Sequence, residues 1–520
     1  MTKGVFVVAL SGLMLGSCTS GFEGFNTDPD SAQDIDQKTL ITTMEMDAVI
    51  PCSDEGANAY QRACNLMGDS YSGYMAAISS FDNGGVNTTT YALDATDYNN
   101  VPFSVAFTDV MAAWLTLRYA YEAEQISEDT FAIAEVIKVF ALQRATDIYG
   151  PLPVTHFGET ENPYDSQETV YMSIFEDLNA AIEVLKEYAT NSPDATPLSS
   201  VDIIYQGSYP KWLRLANSLK LRMAIRISGV DAEYAKQQAL SAINHPIGVM
   251  TSNSDSAYDN LDGRYPNGFY QVGHSWGEAR VNASITAYMN GYEDPRREKY
   301  FTKVTVAGTE GYIGVRSGIQ GANKADFAEY SEWNVTSTTP MPFFVAAEVA
   351  FLRAEGALLG WDMGGTAQHW YEEGIRLAFS EVGASGADDY IANSSATPGN
   401  YVDPKNSAYN YNNRSTIPIA WDAVSSDEQH LEQIITQKWI ANFPNGLEAW
   451  CDFRRTGYPY IFPAYNNLST QGVTNDRQQR RLRFSLSEYQ TNNANVTAAV
   501  SMLSNGQDSD NTDLWWAKKN

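Results

Sequence analysis

A five-residue motif is the part of this sequence that most resembles covalent catalytic machinery. Gly273-His274-Ser275-Trp276-Gly277 has the spacing of a nucleophile elbow, in which a serine on a tight strand-to-helix turn attacks an ester. The reaction also needs a histidine and an acid, and His369 and His430 follow the serine in the chain. However, the sequence lacks the alternating buried strands and helices of an esterase core. It therefore disfavours a serine esterase that uses Ser275.

Residues that commonly hold metals do not have the spacing of a metal site. The five histidines form no H-E-x-x-H or similar short pair, which zinc and non-haem iron sites use. Two acidic clusters also lack the calcium-loop pattern. These clusters are Asp255, Asp259 and Asp262, and Asp508, Asp510 and Asp513. We interpret both as solvated loops and expect no metal and no cofactor, with a structural calcium ion left open.

Two glutamates have the arrangement that a glycoside hydrolase would need for its paired carboxylates. Glu348 and Glu355 lie two turns apart on one face of a predicted helix. Acidic groups among packed helices are usually neutralised by arginine, since a buried charge needs a partner. The chain supplies four such partners: Arg222, Arg226, Arg454 and Arg455. We interpret the glutamates as members of buried ion pairs, and a surface glycoside hydrolase stays the alternative function.

Aromatic side chains in segments rich in Asn, Gly and Ser are the remaining candidates for a binding site. Such rings stack on the apolar face of a sugar or grip a peptide, and they need neither a catalytic acid nor a metal. The alternative is that they pin the loops to the body of the protein. We predict ligand-binding residues among eight aromatics: Tyr71, Tyr74, Phe81, Tyr91, Tyr98, Tyr265, Tyr270 and Trp276.

The elements that must carry these loops have helical periodicity. Apolar residues recur every three to four positions in the segments 131–148, 170–185, 212–223 and 366–380. Pro342 suits the first turn of a further helix that Gly360 ends, and Ser425 with Glu428 resembles a capping box. The pattern predicts an all-α fold of tetratricopeptide-like helical hairpins in an α/α superhelix. Three long irregular segments would supply the ligand-binding loops: 78–105, 245–340 and 385–425.

The N-terminus has the features of a bacterial lipoprotein signal. Lys3 precedes an apolar run too short to cross a bilayer, and Leu15-Gly16-Ser17-Cys18 resembles a lipobox. We predict that the signal peptide 1–17 is removed and that Cys18 is lipidated, with an ordinary signal peptide as the alternative. The segment 18–36 is predicted to be a spacer, and 37–520 a single helical domain with loop insertions.

Net charge and cysteine content limit the partners and the compartment. A formal charge of -29 at pH 7 argues against nucleic-acid binding as the main function, because phosphate backbones need a basic face. The charge also disfavours docking on anionic lipid, so the acyl group is the predicted membrane attachment. Outside the reducing cytoplasm, Cys52 and Cys64 either form a local disulfide or stay free thiols.

Several short stretches, read in order, carry a family resemblance that spans most of the mature chain. They are Asn26–Pro29 (NTDP), Thr146–Pro153 (TDIYGPLP), Pro163–Gln167 (PYDSQ), Trp212–Arg222 (WLRLANSLKLR), Asp294–Arg296 (DPR), Asn445–Trp450 (NGLEAW) and Leu514–Trp516 (LWW). Together they resemble the SusD/RagB-like outer-membrane nutrient-binding lipoproteins, and within them the SusD-like family.

The resemblance implies a helical body with tetratricopeptide-like units, anchored by lipid to the outer membrane and facing the cell exterior. It implies a non-enzymatic role, in which the protein captures a nutrient as a lid over a SusC-like TonB-dependent transporter and delivers it there. Family members take glycans or peptides, so the ligand is an oligosaccharide or a peptide, and we expect the glycan. No binding residue of the family's starch-binding prototype is carried over, because no loop position here matches one.

Overall fold

The computed structural model describes residues 36–49, 58–79, 88–93, 97–260 and 263–517. The predicted signal peptide, Cys18, Cys52 and Phe81 lie outside the described residues. Cys64 is a free, buried thiol. Within the described ranges, no helix is both long and apolar enough to cross a membrane.

Helices make up most of the described chain. They are α1 (Thr39–Val49), α2 (Asp97–Ser104), α3 (Ala112–Glu122), α4 (Glu128–Tyr149), α5 (Gln167–Asn191), α6 (Tyr209–Ile227), α7 (Ala232–Ile243), α8 (Ala283–Gly291), α9 (Arg297–Tyr300), α10 (Lys324–Phe327), α11 (Ala346–Leu358), α12 (Ala367–Glu381), α13 (Ala387–Ile391), α14 (Asp427–Ala441), α15 (Gly446–Thr456), α16 (Leu486–Thr491) and α17 (Asn493–Met502). Segments of π-helix occur at Gln61–Asp69, Val105–Met111 and Tyr270–Ser275.

Successive helices pack in pairs to build the body. The pairs α4 with α5, α6 with α7 and α11 with α12 form hairpins, and α5 also packs on α6. Local sequence sets the helix ends, because the Ser166 hydroxyl accepts a hydrogen bond from the Thr169 N–H, and Gly150 follows α4 with a φ of 88°. The stripe of Ile174, Leu178 and Leu185 on α5 is fully buried. The predicted all-α architecture of helical hairpins is confirmed.

The long segment 245–340 takes part in three short antiparallel strand pairs, two of which connect it to other parts of the molecule. The pairs are β1 (Met75–Ala77) with β3 (Ala279–Val281), β2 (Ala257–Asp259) with β6 (Met341–Phe344), and β4 (Val304–Val306) with β5 (Thr309–Gly311). Segment 245–340 also contains α8, α9 and α10, so the prediction that it is irregular is only partly right. Because Ala76 lies opposite Arg280, the β1–β3 pair places residues 270–281 beside the helix Gln61–Asp69.

Two predicted helix starts are wrong. Pro342 lies in β6 opposite Tyr258, and α11 begins only at Ala346, after Val345 in extended conformation. A proline lacks an N–H and is therefore tolerated in an edge strand of this kind. Ser426, not Ser425, caps α14, since its hydroxyl accepts a hydrogen bond from the Gln429 N–H at 3.3 Å.

The two glutamates considered as catalytic acids belong to ion pairs within the scaffold, as predicted. Arg222 on α6 donates to Glu348 on α11, with Nε and Oε1 2.7 Å apart. Arg455 on α15 pairs with Glu355 on α11 at 2.5 Å. Glu348 and Glu355 are both almost fully buried. Their carboxylate oxygens therefore take part in ion pairs that hold α11 to α6 and α15.

A third glutamate, Glu448 on α15, extends this network to α14. Glu448 forms ion pairs with Arg226 at 2.5 Å and with Lys438 at 3.1 Å. Lys438 also pairs with Asp452 at 2.8 Å. Burial alone would raise the pKa of Glu448, but the charges of Arg226 and Lys438 outweigh it and hold the pKa well below its usual range. The network thus connects α6, α11, α14 and α15 through charges that are removed from water.

The described members of the two acidic clusters are not solvated, which corrects the sequence interpretation, while Asp262 lies outside the described residues. Asp508 pairs with Arg481, Asp510 with Arg483, and Asp513 with Arg480. In the first cluster, Asp259 is fully buried and no protein group donates to either of its carboxylate oxygens. Arginines that lie near these acids only in the folded chain give no signal at the sequence level.

The segment near residue 516 is packed into the centre of the body. The Trp516 indole N–H donates to Asp147 Oδ1 on α4 at 2.7 Å, and the ring lies 5.1 Å from the Arg226 guanidinium. The Trp515 N–H donates to Gln167 Oε1 on α5 at 2.8 Å. Residues more than 300 positions apart are therefore needed to complete one core.

Candidate functional site

Three of the predicted ligand-binding aromatics, Tyr98, Tyr270 and Trp276, are half-buried and lie on or beside elements that pack together around the β1–β3 pair. We refer to these three residues and the polar side chains that hold them as the aromatic face. Its elements are the π-helical turn Tyr270–Ser275, the helix Gln61–Asp69, α10 and the start of α2. Half-exposed rings on a rigid body are suited to stacking against a ligand.

The turn that carries Tyr270 is fixed from below by a glycine contact. Gly273 lies directly against the fully buried Trp333 ring, and a Cβ at position 273 would stand 2.0 Å from it. Phe269 packs edge-on against Tyr60 and Trp333, with centroids 5.2 and 6.2 Å away. Gly273 of the elbow-like motif is therefore needed for the close contact with Trp333. The motif also predicts a strand before the serine, whereas this turn is π-helical.

The Tyr270 ring is held by a histidine one turn further along. The rings of Tyr270 and His274 are stacked, with centroids 5.4 Å apart and planes at 30°. His274 Nδ1 lies 2.7 Å from Glu332 Oε2, and Nε2 lies 2.7 Å from the Trp333 carbonyl oxygen. Both partners are acceptors, so both ring nitrogens must donate, and the geometry favours the imidazolium form. Consistently, the hydrogen bond to Glu332 raises the pKa of His274.

Glu332 joins this pair to the strand β3. Arg280, which lies opposite Ala76 in the β1–β3 pair, reaches Glu332 Oε1 with Nη2 at 2.9 Å. Burial would raise the pKa of Glu332, but the hydrogen bond from His274 and the charge of Arg280 outweigh it, and the pKa is lowered. A carboxylate between two cations thus orients the histidine, which in turn orients Tyr270.

Trp276 is held through its backbone by a charged group from α10. Lys324 Nζ donates to the Trp276 carbonyl oxygen at 3.0 Å and to Glu278 Oε1 at 2.9 Å. Gln61 Nε2 donates to the other oxygen of Glu278 at 2.6 Å. The carboxylate of Glu278 therefore connects α10 to the helix Gln61–Asp69 immediately beside the tryptophan.

Tyr98 lies at the start of α2, beside the same helix. The Arg62 guanidinium stands 4.8 Å from the centroid of the Tyr98 ring, within the range of a cation–π contact. Because Arg62 follows Gln61, the helix Gln61–Asp69 contacts the Tyr98 ring and Glu278 through neighbouring side chains.

Three other predicted aromatics lie inside the core, so we leave them out of the aromatic face. Tyr74 is fully buried, stacks on Trp439 and donates its hydroxyl hydrogen to the Trp439 carbonyl oxygen. Tyr71 packs on Trp450 with centroids 5.1 Å apart, and the buried Tyr91 donates to Gln478 Oε1 at 3.1 Å. Their rings stabilise the body, which is the alternative that the sequence left open.

Tyr265 is half-buried, two residues before Asn267 at the start of the segment that leads into the π-helical turn. Phe81, the remaining predicted aromatic, lies outside the described residues. The aromatic face is therefore built on three of the eight predicted residues, with Tyr265 adjacent to it along the chain.

The residues that a serine esterase would need are not brought together. Ser275 is exposed at the end of the π-helical turn. His369 lies on α12 against Trp370, and His430 on α14 is stacked on Trp421 with centroids 3.9 Å apart. Across the described ranges, no group of three or more His, Cys, Asp or Glu side chains is arranged to hold a metal ion.

Five functional candidates escaped the sequence analysis: Gln61, Arg62, Arg280, Lys324 and Glu332. Each acts on a residue far away in the chain, such as Glu332 on His274 and Gln61 on Glu278. Single charged residues in loops give no pattern that separates such a role from solvation. His274 was considered only as part of the elbow-like motif, whereas its contacts make it a support for Tyr270.

Comparison with known proteins places the chain among lipoproteins. A family model described as SusD-like, Susd and RagB outer membrane lipoprotein, matches residues 24–517. Among curated proteins, none matches the chain.

Solved structures match along nearly the whole chain. A SusD-like protein from Bacteroides thetaiotaomicron is 43% identical with a TM-score of 0.87, and the match covers 93% of this chain and 99% of that one. A chitin-binding SusD homolog from Flavobacterium johnsoniae is 37% identical, with the same TM-score of 0.87 and coverage of 93% and 99%. A SusD homolog from Bacteroides uniformis is 38% identical, with a TM-score of 0.84 and coverage of 92% and 99%.

Proposed function

Because the chain belongs to the SusD-like family of outer-membrane lipoproteins, we propose that it is a non-enzymatic surface lipoprotein that captures oligomeric nutrients. The ligand is an oligosaccharide in preference to a peptide. The captured ligand passes to a SusC-like TonB-dependent transporter in the same membrane, over which the lipoprotein acts as a lid. Cys18 carries the lipid, and the body faces the cell exterior.

The aromatic face is the observation that supports ligand capture. Tyr270, Trp276 and Tyr98 present half-exposed rings whose positions are fixed by Glu332, Lys324 and Arg62. Sugar rings stack on such surfaces, and their hydroxyls find donors and acceptors in the neighbouring Gln, Glu and Lys side chains. The relative from Flavobacterium johnsoniae is described as chitin-binding. Oligomers of N-acetylglucosamine are therefore the first ligands to test.

Binding is tested with the purified body, residues 37–520, by isothermal titration calorimetry against a panel of chito-, xylo-, manno- and malto-oligosaccharides and a mixed peptide library. We expect saturable binding of at least one oligosaccharide, and a loss of about tenfold in the Trp276→Ala variant. Such a loss corresponds to about 1.4 kcal/mol, a size comparable to that of one nucleobase stacked on an aromatic side chain. Tyr119→Ala is the matched control, since Tyr119 is an exposed aromatic of α3 with 52% of its surface accessible.

Two results would overturn the proposal. The first is release of reducing ends or other products from any ligand of the panel, which would indicate the glycoside hydrolase alternative. The second is equal affinity in Trp276→Ala and Tyr119→Ala, which would place the ligand elsewhere.

Lipidation is tested separately by metabolic labelling with an alkyne fatty acid, where Cys18→Ser abolishes the label. Delivery is tested by co-purification with the transporter from detergent-solubilised outer membranes.

A further inference from the structure

A cavity of about 210 Å³ lies on the inner side of β6, away from the residues of the aromatic face. It is closed by the C-terminal ends of α12 and α14 and by the residues that lead into α15. The exposed residues Lys299, Asn334 and Pro340 belong to its lining, so the cavity opens to solvent on that side.

The walls of the cavity are mainly aromatic and aliphatic. Phe269, Tyr300, Phe344 and Phe443 all line it, and the rings of Tyr300 and Phe443 are 5.1 Å apart. An engineered protein cavity of about 150 Å³ with apolar walls binds benzene, so a space of this size accommodates one ring with a small substituent. A sugar would place hydroxyls against these aromatic and aliphatic walls, which offer them no hydrogen-bond partner, and this is costly.

One polar side chain in the lining has no partner at either end. Asn442 is only 3% exposed, and neither its Nδ2 nor its Oδ1 is within hydrogen-bond distance of a protein group. A buried amide normally makes hydrogen bonds with both atoms, since leaving them unmade costs the full desolvation of the group. The natural complement of an amide is a second amide, which offers one acceptor and two donors.

A carboxyl group in the lining is also incompletely bonded. Tyr258 donates its hydroxyl hydrogen to Glu381 Oε1 at 2.5 Å, whereas no protein group donates to the buried Oε2. Desolvation raises the pKa of Glu381. The cavity therefore combines an aromatic enclosure with an unpaired amide and an unpaired acceptor, a pattern typical of small-molecule sites.

We infer that this cavity is a second binding site, distinct from the aromatic face, for a small ligand with one flat apolar ring and a carboxamide group. The ring packs among the four aromatic walls, and the carboxamide pairs with the amide of Asn442. This site is independent of the oligosaccharide function, because Tyr98, Tyr270 and Trp276 do not belong to the lining of the cavity.

The test uses benzamide as the probe, with toluene and glucose for comparison, and measures binding by ligand-observed NMR and calorimetry. We expect saturable binding of benzamide, binding of toluene about tenfold weaker, and no binding of glucose. Asn442→Leu keeps the volume but removes the amide, so we expect it to abolish the preference for benzamide. Ala378→Leu fills part of the cavity and should weaken both aromatic probes, while circular dichroism and melting temperature check that both variants fold.

Three results would overturn the inference. One is the absence of saturable binding of benzamide up to millimolar concentration. Another is an unchanged preference in Asn442→Leu. The third is loss of benzamide binding in Trp276→Ala, which would mean that the probe occupies the aromatic face. If oligosaccharides fail to bind while benzamide binds as expected, the proposed function fails and this site stands.

Discussion

Two rings of the aromatic face, those of Tyr270 and Tyr98, are held by a charged or polar neighbour, whereas Lys324 holds Trp276 through its carbonyl oxygen. Tyr270 rests on an imidazole that is fixed between Glu332 and the Trp333 carbonyl, and Tyr98 lies against Arg62. A ring that is already oriented loses little freedom when a ligand stacks on it, so less of the interaction energy is spent on ordering. The charges at this site therefore serve orientation and leave the contact with a neutral ligand to the rings.

Protonation of His274 should tune the affinity of the aromatic face. Its pKa is raised by Glu332, so the charged pair is complete below the ordinary value of about 6.5 and is lost as pH rises through the raised pKa. Arg280 faces the same carboxylate and stays charged throughout. We expect oligosaccharide affinity to fall by about two- to fivefold as pH rises through this range, the size expected for a partly exposed pair. Calorimetry from pH 5.5 to 8.5 measures it.

The His274→Gln variant is the control for this pH dependence. A glutamine has no charge to lose, so its affinity should be lower at pH 5.5 and nearly constant up to pH 8.5. The same slope in the variant and in the unchanged protein would contradict the assignment of the effect to His274.

Sequence reasoning predicted part of the candidate site because loop aromatics are visible in the sequence. It identified Tyr98, Tyr270 and Trp276, but it also included Tyr71 and Tyr74, which are buried in the core. Aromatic residues in Gly- and Ser-rich segments serve packing as readily as binding, and only three-dimensional contacts separate the two. The supporting charges were missed because their partners lie far away in the chain.

The π-helical turn Tyr270–Ser275 is the element on which the aromatic face depends. We expect Gly273→Ala to destabilise the protein by about 1–3 kcal/mol, because the added methyl group would overpack the Trp333 ring, which cannot move freely in the core. The variant should also bind oligosaccharide more weakly, since Tyr270 would be displaced. Thermal unfolding and calorimetry measure the two effects.

Gly277→Ala is the matched control for this prediction. Gly277 has a φ of 61°, and a Cβ there meets no atom within 4 Å. Its replacement therefore carries only the backbone strain of a left-handed residue, about 1 kcal/mol. A larger loss of stability in Gly277→Ala than in Gly273→Ala would contradict the packing argument.

Long helices were predictable at the level of elements, and the short strands were not. Helices α4, α5, α6 and α12 follow from apolar residues at helical spacing. Strands of three or four residues, such as β1 and β6, are too short for an alternating pattern to emerge, and their pairing depends on partners up to about 200 residues away. Pro342 was assigned to a helix for this reason.

At the scale of the whole molecule, buried charge replaces part of an apolar core. We expect Glu348→Gln to reduce the free energy of unfolding by about 3–5 kcal/mol, because it leaves the buried Arg222 with only the more distant carboxylate of Glu448, 3.7 Å away. Glu183→Gln is the control, since its pair with Lys186 is exposed and contributes little. Chemical denaturation of both variants measures the difference. Equal stability of the two would indicate that the network is dispensable.

The contact between Trp516 and Asp147 means that the core is complete only when two distant parts of the chain come together. Asp147 lies on α4, yet its indole partner is added 369 residues later. Without that tryptophan, Asp147 and the neighbouring arginines are left open to water on one side. A polypeptide interrupted by a premature stop or a protease would retain a wet, charged gap at its centre. The segment around Trp516 thus acts as a plug, whose removal would expose these buried charges to water.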